Sequence, residues 1–332
     1  MGEPLDVVTI GNAIVDVLSH EEDAFLQRHE LVKGWMALIE PQQAEALYAD
    51  MGPAIEVSGG SAANTAAGVA SLGGKAAYIG KISKDQLGSF FAHDIRAAGV
   101  HFDTPPIKGY PPTARSLIVV TPDAQRTMNT YLGACVELGP EDVDEDLIAR
   151  AQITYLEGYL WDKESAKDAF VKAAEVAHKA GQKVSLTLSD TFCVERHRDS
   201  FVDLVSNHID ILFANEKEAM ALYETDSLDE ALRLFRAECE MTVVTRSEHG
   251  SIVVSGEDRY DIEAVPPARL VDTTGAGDLY ASGFLYGIAT GRSPADSGKL
   301  GSLAAAEVIS HIGARPETPL VDLAKQNGLL AA

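Results

Sequence analysis

From residue 153 to residue 254 short apolar runs alternate with longer segments of helical period. The runs at 153–157, 184–188, 209–213, 242–245 and 251–254 are too short for helices and rich in β-branched residues, so they are expected as buried strands. Between them, segments near 163–180, 194–207, 216–223 and 229–238 carry apolar residues at helical spacing. In the first, Ala166, Phe170, Ala173, Ala174 and Ala177 form one core-facing stripe. Helices near 276–290 and 294–311 follow, with Gly283, Gly287, Gly301, Ala304 and Ala305 as small residues suited to close packing. Residues 5–11 read as another buried strand closed by glycine, and 76–80 as one more, with helices near 41–51, 61–72 and 85–98. Repeated strand–helix units leave few solutions, chiefly a parallel sheet wound on both faces by helices.

Two segments break the alternation. Residues 20–40 mix charges with a short apolar alternation at Trp35-Met36-Ala37-Leu38-Ile39, expected as a helix and one or two strands. Residues 105–134 are punctuated by Pro105-Pro106 and Pro111-Pro112, with antiparallel strands expected around a Pro122-Asp123 turn. An antiparallel insert in such a chain forms a lid or a dimer surface. One domain over 1–332 is expected, with lid segments near 20–40 and 105–134.

Charge narrows the partners. Fifty acidic and 27 basic side chains give a net charge of −23, which argues against nucleic acid or an anionic membrane as partner. No apolar stretch reaches the roughly 20 residues needed to span a bilayer, and no basic-plus-apolar leader precedes the strand beginning near Leu5. Cys135, Cys193 and Cys239 are far apart and form no Cys-x-x-Cys pair, which fits a reducing compartment and no structural zinc. The expectation is a cytoplasmic protein, monomer or homodimer, acting on small molecules.

Chemistry concentrates at residues 271–284, where a polar glycine-rich turn runs into an apolar helix with Asp278 at the join. Gly275, Ala276 and Gly277 let backbone N–H groups approach a ligand at the positive end of that helix, a natural anion site. A carboxylate beside bound anion suits phosphoryl transfer to an alcohol, which needs donors for the phosphoryl oxygens and a base for the hydroxyl. A helix start with an acidic dipole partner is the plainer alternative. Asn12 and Asp16 follow the first strand at its carboxyl end, where parallel α/β sheets bind ligands. Asp16 stands in an apolar run, where burial is costly without partners; a sugar diol, a helix N-terminus or a salt bridge would each supply them. Gly59-Gly60-Ser61-Ala62-Ala63-Asn64 opens a second glycine-led helix, either a tight turn or a surface for hydroxyl groups. The run 68–75 fails as a P-loop, since Lys75 comes one residue late and Ala76 replaces Ser or Thr; Tyr280 likewise breaks G-x-G-x-x-G.

Taken in order, these stretches resemble the ribokinase-like, or PfkB, carbohydrate and nucleoside kinases. Residues 59–81 are similar to that family's first signature and Asp272-Thr273-Thr274-Gly275-Ala276-Gly277-Asp278 to its second. The resemblance covers about residues 7–313. It implies a three-layer α/β/α sandwich with a mostly parallel central sheet and a small β-rich lid, and Mg2+ with ATP as co-substrate. It makes Asp278 the base and Gly275, Ala276 and Gly277 the anion hole. Asn215 and Glu218 match the family's Asn-x-x-Glu, which acts on the phosphates and, through water, on magnesium. Thr245 to Gly250 match the nucleotide-side turn, with Ser247 where glycine is usual. Asp272 and Thr274 are the candidates for a monovalent cation such as K+.

Within the family, Gly11-Asn12-Ala13-Ile14-Val15-Asp16, Ser61 after the paired glycines and the strand around Arg126 and Met128 are most similar to adenosine kinases. That likeness implies that Asn12, Asp16, Gly59, Gly60 and Asn64 hold ribose hydroxyls and Arg126 stabilises transferred charge. Met128 and Phe192 would then meet the base. Phe192 and Tyr159 are equally readable as core aromatics. A sugar kinase of the same fold, for ribose, fructose or a keto-deoxy sugar acid, is the alternative; a non-catalytic ligand-binding member is a third.

Overall fold

The structure is a computed structural model that describes residues 2–123 and 125–331. In chain order the strands are β1 Leu5–Ile10, β2 Ile14–His20, β3 Met36–Leu38, β4 Ala54–Gly59, β5 Ala76–Ile79, β6 Ala114–Val120 and β7 Arg126–Tyr131. They continue as β8 Ala151–Glu157, β9 Lys183–Thr187, β10 Ile211–Asn215, β11 Met241–Thr245, β12 Ser251–Ser255 and β13 Asp258–Ile262. Eight of them form one sheet in the order β13-β12-β11-β10-β9-β8-β1-β5. It is parallel from β11 to β5, and the β12–β13 hairpin closes one edge antiparallel.

Both faces of this sheet are covered, as continuous apolar strands demand. On one side Val8, Ile10 and Leu156 pack with the Phe170 stripe of helix Glu164–Lys179 and with helices Thr191–His208, Glu216–Leu222 and Leu228–Glu238. On the other, Val7, Ile153, Tyr155 and Phe213 meet helices Ser61–Ser71 and Ala276–Ala289. Helix Ala276–Ala289 also packs closely along Pro294–Val308, and a Cβ added at Gly283 would lie 2.5 Å from the Leu300 carbonyl oxygen. The expected three-layer α/β/α sandwich is the fold observed.

The second sheet runs β3-β7-β6-β2-β4. It is wider than expected: besides strands within 20–40 and 105–134 it recruits β2 and β4 from outside those segments. The alternation of Ile14-Val15-Asp16-Val17-Leu18 carries β2, but Asp16 in the apolar run masked its period. Edge strand β13 was also missed, because Asp258-Arg259-Tyr260-Asp261 is polar on a half-covered edge. The P-loop look-alike is no loop, since Gly68 lies inside helix Ser61–Ser71. Among the described residues no helix is long and apolar enough to cross a membrane.

Candidate active site

Helix Ala276–Ala289 starts at Gly275, which takes a left-handed φ of 78°. A Cβ there would lie 2.7 Å from that of Ala314, so conformation and space both require glycine. Asp278, in the first turn, faces the second glycine-led helix start. Its Oδ1 accepts from Ser61 Oγ at 2.7 Å and its Oδ2 from Asn64 Nδ2 at 2.9 Å. Burial raises the Asp278 pKa, and those donors together with the charge of Arg315 oppose the rise.

Gly275, Ala276, Gly277 and Asp278 line a cavity of about 780 Å³ together with Tyr159, Asn215, Glu218, Thr245, Ser247 and Gly250. Its apolar part comes from Phe213, Val265, Pro266, Ala305 and Ile309. A volume of this size suits a nucleotide-sized ligand. Asn215 and Glu218 form a capping box at a helix start, where Glu218 accepts from Asn215 N at 2.9 Å and from its Nδ2 at 2.5 Å. Burial pushes Glu218 up to about 7. Among the described residues no three His, Cys, Asp or Glu side chains gather as a metal cluster. Magnesium bound here would be held mainly by phosphate oxygens and water, and the Glu218 carboxylate lines the same cavity. Ser247 stands at φ 52°, the left-handed region that the glycine usual at this place would favour.

Across Asp278 from this cavity lie the groups expected to hold the alcohol. Asn12 donates from N at 3.3 Å and from Nδ2 at 2.9 Å to Glu157 Oε1, while Glu157 Oε2 accepts from Ala62 N at 2.8 Å. Glu157 is buried and pushed up to about 7 by desolvation. The Oδ1 atoms of Asn12 and Asn64 are buried with no hydrogen-bond partner. Asp16, on β2 beside Gly59, is raised to about 7 by burial, against the through-space pull of Arg126 and Arg315. Neither the helix cap nor the salt bridge open to Asp16 from the sequence is what surrounds it.

The face of the second sheet that carries Asp16 looks onto this pocket, because Arg126 on the same face donates to Asp272 and, at 2.9 Å, to Thr274 Oγ1. Register fixes the rest of that face: Asp16 pairs with Ser116 and Val57, Leu18 with Ile118 and Ile55, Ile118 with Met128, and Met128 with Met36. Val15, Val17, Leu117 and Val119 point the other way, into a core with Phe25, Leu26, Ala44 and Leu47. Asp272 and Thr274, the candidates for potassium, are thus taken up by a guanidinium. Asp272 Oδ2 also accepts from Gly313 N at 3.1 Å, and its Oδ1 from Thr274 N and Oγ1.

Phe192 is 62% exposed and does not line the cavity, whereas Tyr159 is 39% exposed and does. Neither is a core aromatic. Glu157 and Arg315 escaped the sequence reading of the site, and Ser61 was read as a branch marker without its contact to Asp278. Glu157 closes a strand at the carboxyl end of the sheet, a signal that was available; nothing local marks Arg315.

A profile of the pfkB family carbohydrate kinases matches residues 54–320. The chain belongs to that family. It is a kinase, a phosphotransferase with an alcohol group as acceptor, and its family uses ATP as co-substrate, typically with Mg2+. The crystal structure of a probable sugar kinase from Rhizobium etli CFN 42 superposes with a TM-score of 0.92 at 56% identity, over 99% of this chain and 100% of that one. Adenosine kinase from Sinorhizobium meliloti is also 56% identical, with a TM-score of 0.90 over 98% of this chain and 99% of that one. A 5-dehydro-2-deoxygluconokinase from Geobacillus thermodenitrificans is 25% identical over 98% of this chain and 93% of its own. Names among these pfkB relatives thus divide between nucleoside and sugar acceptors.

Proposed function

We propose that this kinase phosphorylates the 5′-hydroxyl of adenosine with Mg-ATP, giving AMP and ADP. The observation that carries the reading is the composition of the pocket-facing sheet, where Leu18, Val57, Ile118, Met128 and Met36 share the face that carries Asp16 and Ser116. Unpartnered acceptors at Asn12 and Asn64 and the Asp16 carboxylate await donors, which ribose hydroxyls supply. The apolar face beyond them suits a purine, which a free sugar lacks. In this reading Asp278 takes the proton of the 5′-hydroxyl, and the N–H groups of Gly275, Ala276 and Gly277 stabilise the developing charge. Arg126 leaves Asp272 for the transferred phosphoryl group, while Asn215 and Thr245 to Gly250 hold the nucleotide. Phe192 would have to close onto the base from its exposed position, and Tyr159 contributes from the cavity wall.

The second reading, a sugar kinase, is favoured by the relatives of that name. A sugar acid would need a further cation in the pocket, but Arg315 is held by backbone carbonyls and Arg126, once released from Asp272, is taken by the transferred phosphoryl group. Incubation with ATP and adenosine should release ADP and AMP in equal amounts, whereas 5′-deoxyadenosine should bind and release none. ADP release with 5′-deoxyadenosine, or none with adenosine, would refute the assignment.

A further inference from the structure

Arg315 has no part in the reaction described so far. It sits in the loop after helix Pro294–Val308, and its guanidinium donates only to uncharged oxygens. Nε reaches Ser58 O at 3.0 Å, Nη2 reaches Ser58 O at 2.6 Å and Ser58 Oγ at 3.1 Å, and Nη1 reaches Ala63 O at 2.8 Å. Ser58 N in turn donates to Asp94 Oδ2 at 2.9 Å, so the turn before Gly59 and Gly60 is gripped from both sides. The two residues before Arg315 hold the other half of the site. Gly313 N donates to Asp272, and Ala314 packs against Gly275. Three consecutive residues therefore touch Asp272, Gly275 and the Ser58–Ala63 turn.

We propose that Arg315 is a positioning residue of the transfer step, fixing the Ser58–Ala63 turn against the Asp272–Asp278 loop and placing a buried positive charge near Asp278 and Asp16. A buried guanidinium without a contacting carboxylate is costly unless nearby charges compensate it through space. Carboxylates around it do so from the elements packed against it: Asp16 on β2, Asp94 on helix Gln86–Ala97 and Asp278 on helix Ala276–Ala289, while the Tyr78 hydroxyl on β5, pushed up by burial, stays neutral beside them. Arg126 adds a second positive charge at Asp16, and Glu157 faces Asp278 with a negative one. Burial raises both Asp16 and Asp278, and Arg315 lowers both. The inference rests on the kinase reading of Asp278 but not on which alcohol is the acceptor.

The test is acceptor-dependent ADP release from about pH 5 to about pH 9 for the wild type, Arg315→Met and Arg315→Lys. Each is measured with whichever acceptor the wild type turns over fastest. In Arg315→Met the acidic limb of kcat should move up by about one pH unit. Its kcat should fall about 100-fold, with the KM for ATP changed less than about threefold. Arg315→Lys should keep the wild-type limb and recover part of the rate. A folded Arg315→Met with its limb unmoved, or a loss confined to the KM for ATP, overturns the proposal. Should Arg315→Met fail to fold, Arg315→Lys decides: a lowered kcat on a wild-type limb supports the role, and wild-type kcat overturns it. Failure of adenosine as acceptor counts against the substrate assignment alone.

Discussion

At the scale of single residues the account rests on Asp278, held by Ser61 and Asn64 at the start of a helix. Asp278→Asn keeps the shape and one acceptor, its amide nitrogen being able to donate to the Ser61 hydroxyl, but has no proton affinity, so kcat should fall at least about 1000-fold. ATP affinity by calorimetry should stay within a few-fold, and near-wild-type turnover would remove Asp278 from the role of base. Ser247 makes a separate prediction. Its φ of 52° is strained for any side chain, so Ser247→Gly should change stability by no more than about 1 kcal/mol, in the stabilising direction. Ser247→Val, β-branched at the same φ, should lose about 1–2 kcal/mol in denaturant unfolding. Equal stabilities would show that the turn adapts. The left-handed positions were legible where glycine stood, as at Gly275. At Ser247 only the comparison with a motif pointed to them. Arg315 was illegible because its partners are backbone oxygens more than 250 residues away in the chain.

At the scale of elements, the second sheet divides its faces by purpose. One face is sealed by Phe25, Leu26, Ala44 and Leu47 of this chain's own helices, which leaves the other for the pocket. Met128→Asp should raise the KM for adenosine by about tenfold or more, the cost of losing one apolar contact surface, and leave the KM for ATP near wild type. An unchanged adenosine KM would show that the face does not meet the base. The Pro122-Asp123 turn signal between two strand-prone runs made β6 and β7 readable, although periodicity marks neither. No such turn signal marked β2 and β4, where Asp16, Glu56 and Gly59 interrupt the apolar pattern. Asp16 and Gly59 are where the sheet meets the pocket, so there function erased the signal that folding would have left, whereas Glu56 lies on the opposite face and accepts from the Tyr48 hydroxyl.

At the scale of the whole molecule, the strand–helix alternation announced the sandwich because every central strand must be apolar on both faces. The buried carboxylates beneath it carry a global consequence. Asp16, Glu157 and Glu218 titrate near 7 in the folded chain but near 3.8, 4.5 and 4.5 when unfolded. Between those limits the unfolded chain has released protons that the folded chain keeps, so stability falls as pH rises through about 7. The ligand-free melting midpoint should therefore drop from about pH 5 to about pH 8, and Glu157→Gln should drop less. Identical slopes for the two proteins would mean that Glu157 is already ionised. The central claim, a nucleoside rather than a sugar acid as acceptor, is met most directly by competition. Wild-type enzyme receives limiting Mg-ATP with equal adenosine and 5-dehydro-2-deoxygluconate, and the phosphorylated products are resolved by 31P NMR. The account predicts AMP as the dominant product; phosphorylated sugar acid in excess over AMP would contradict it.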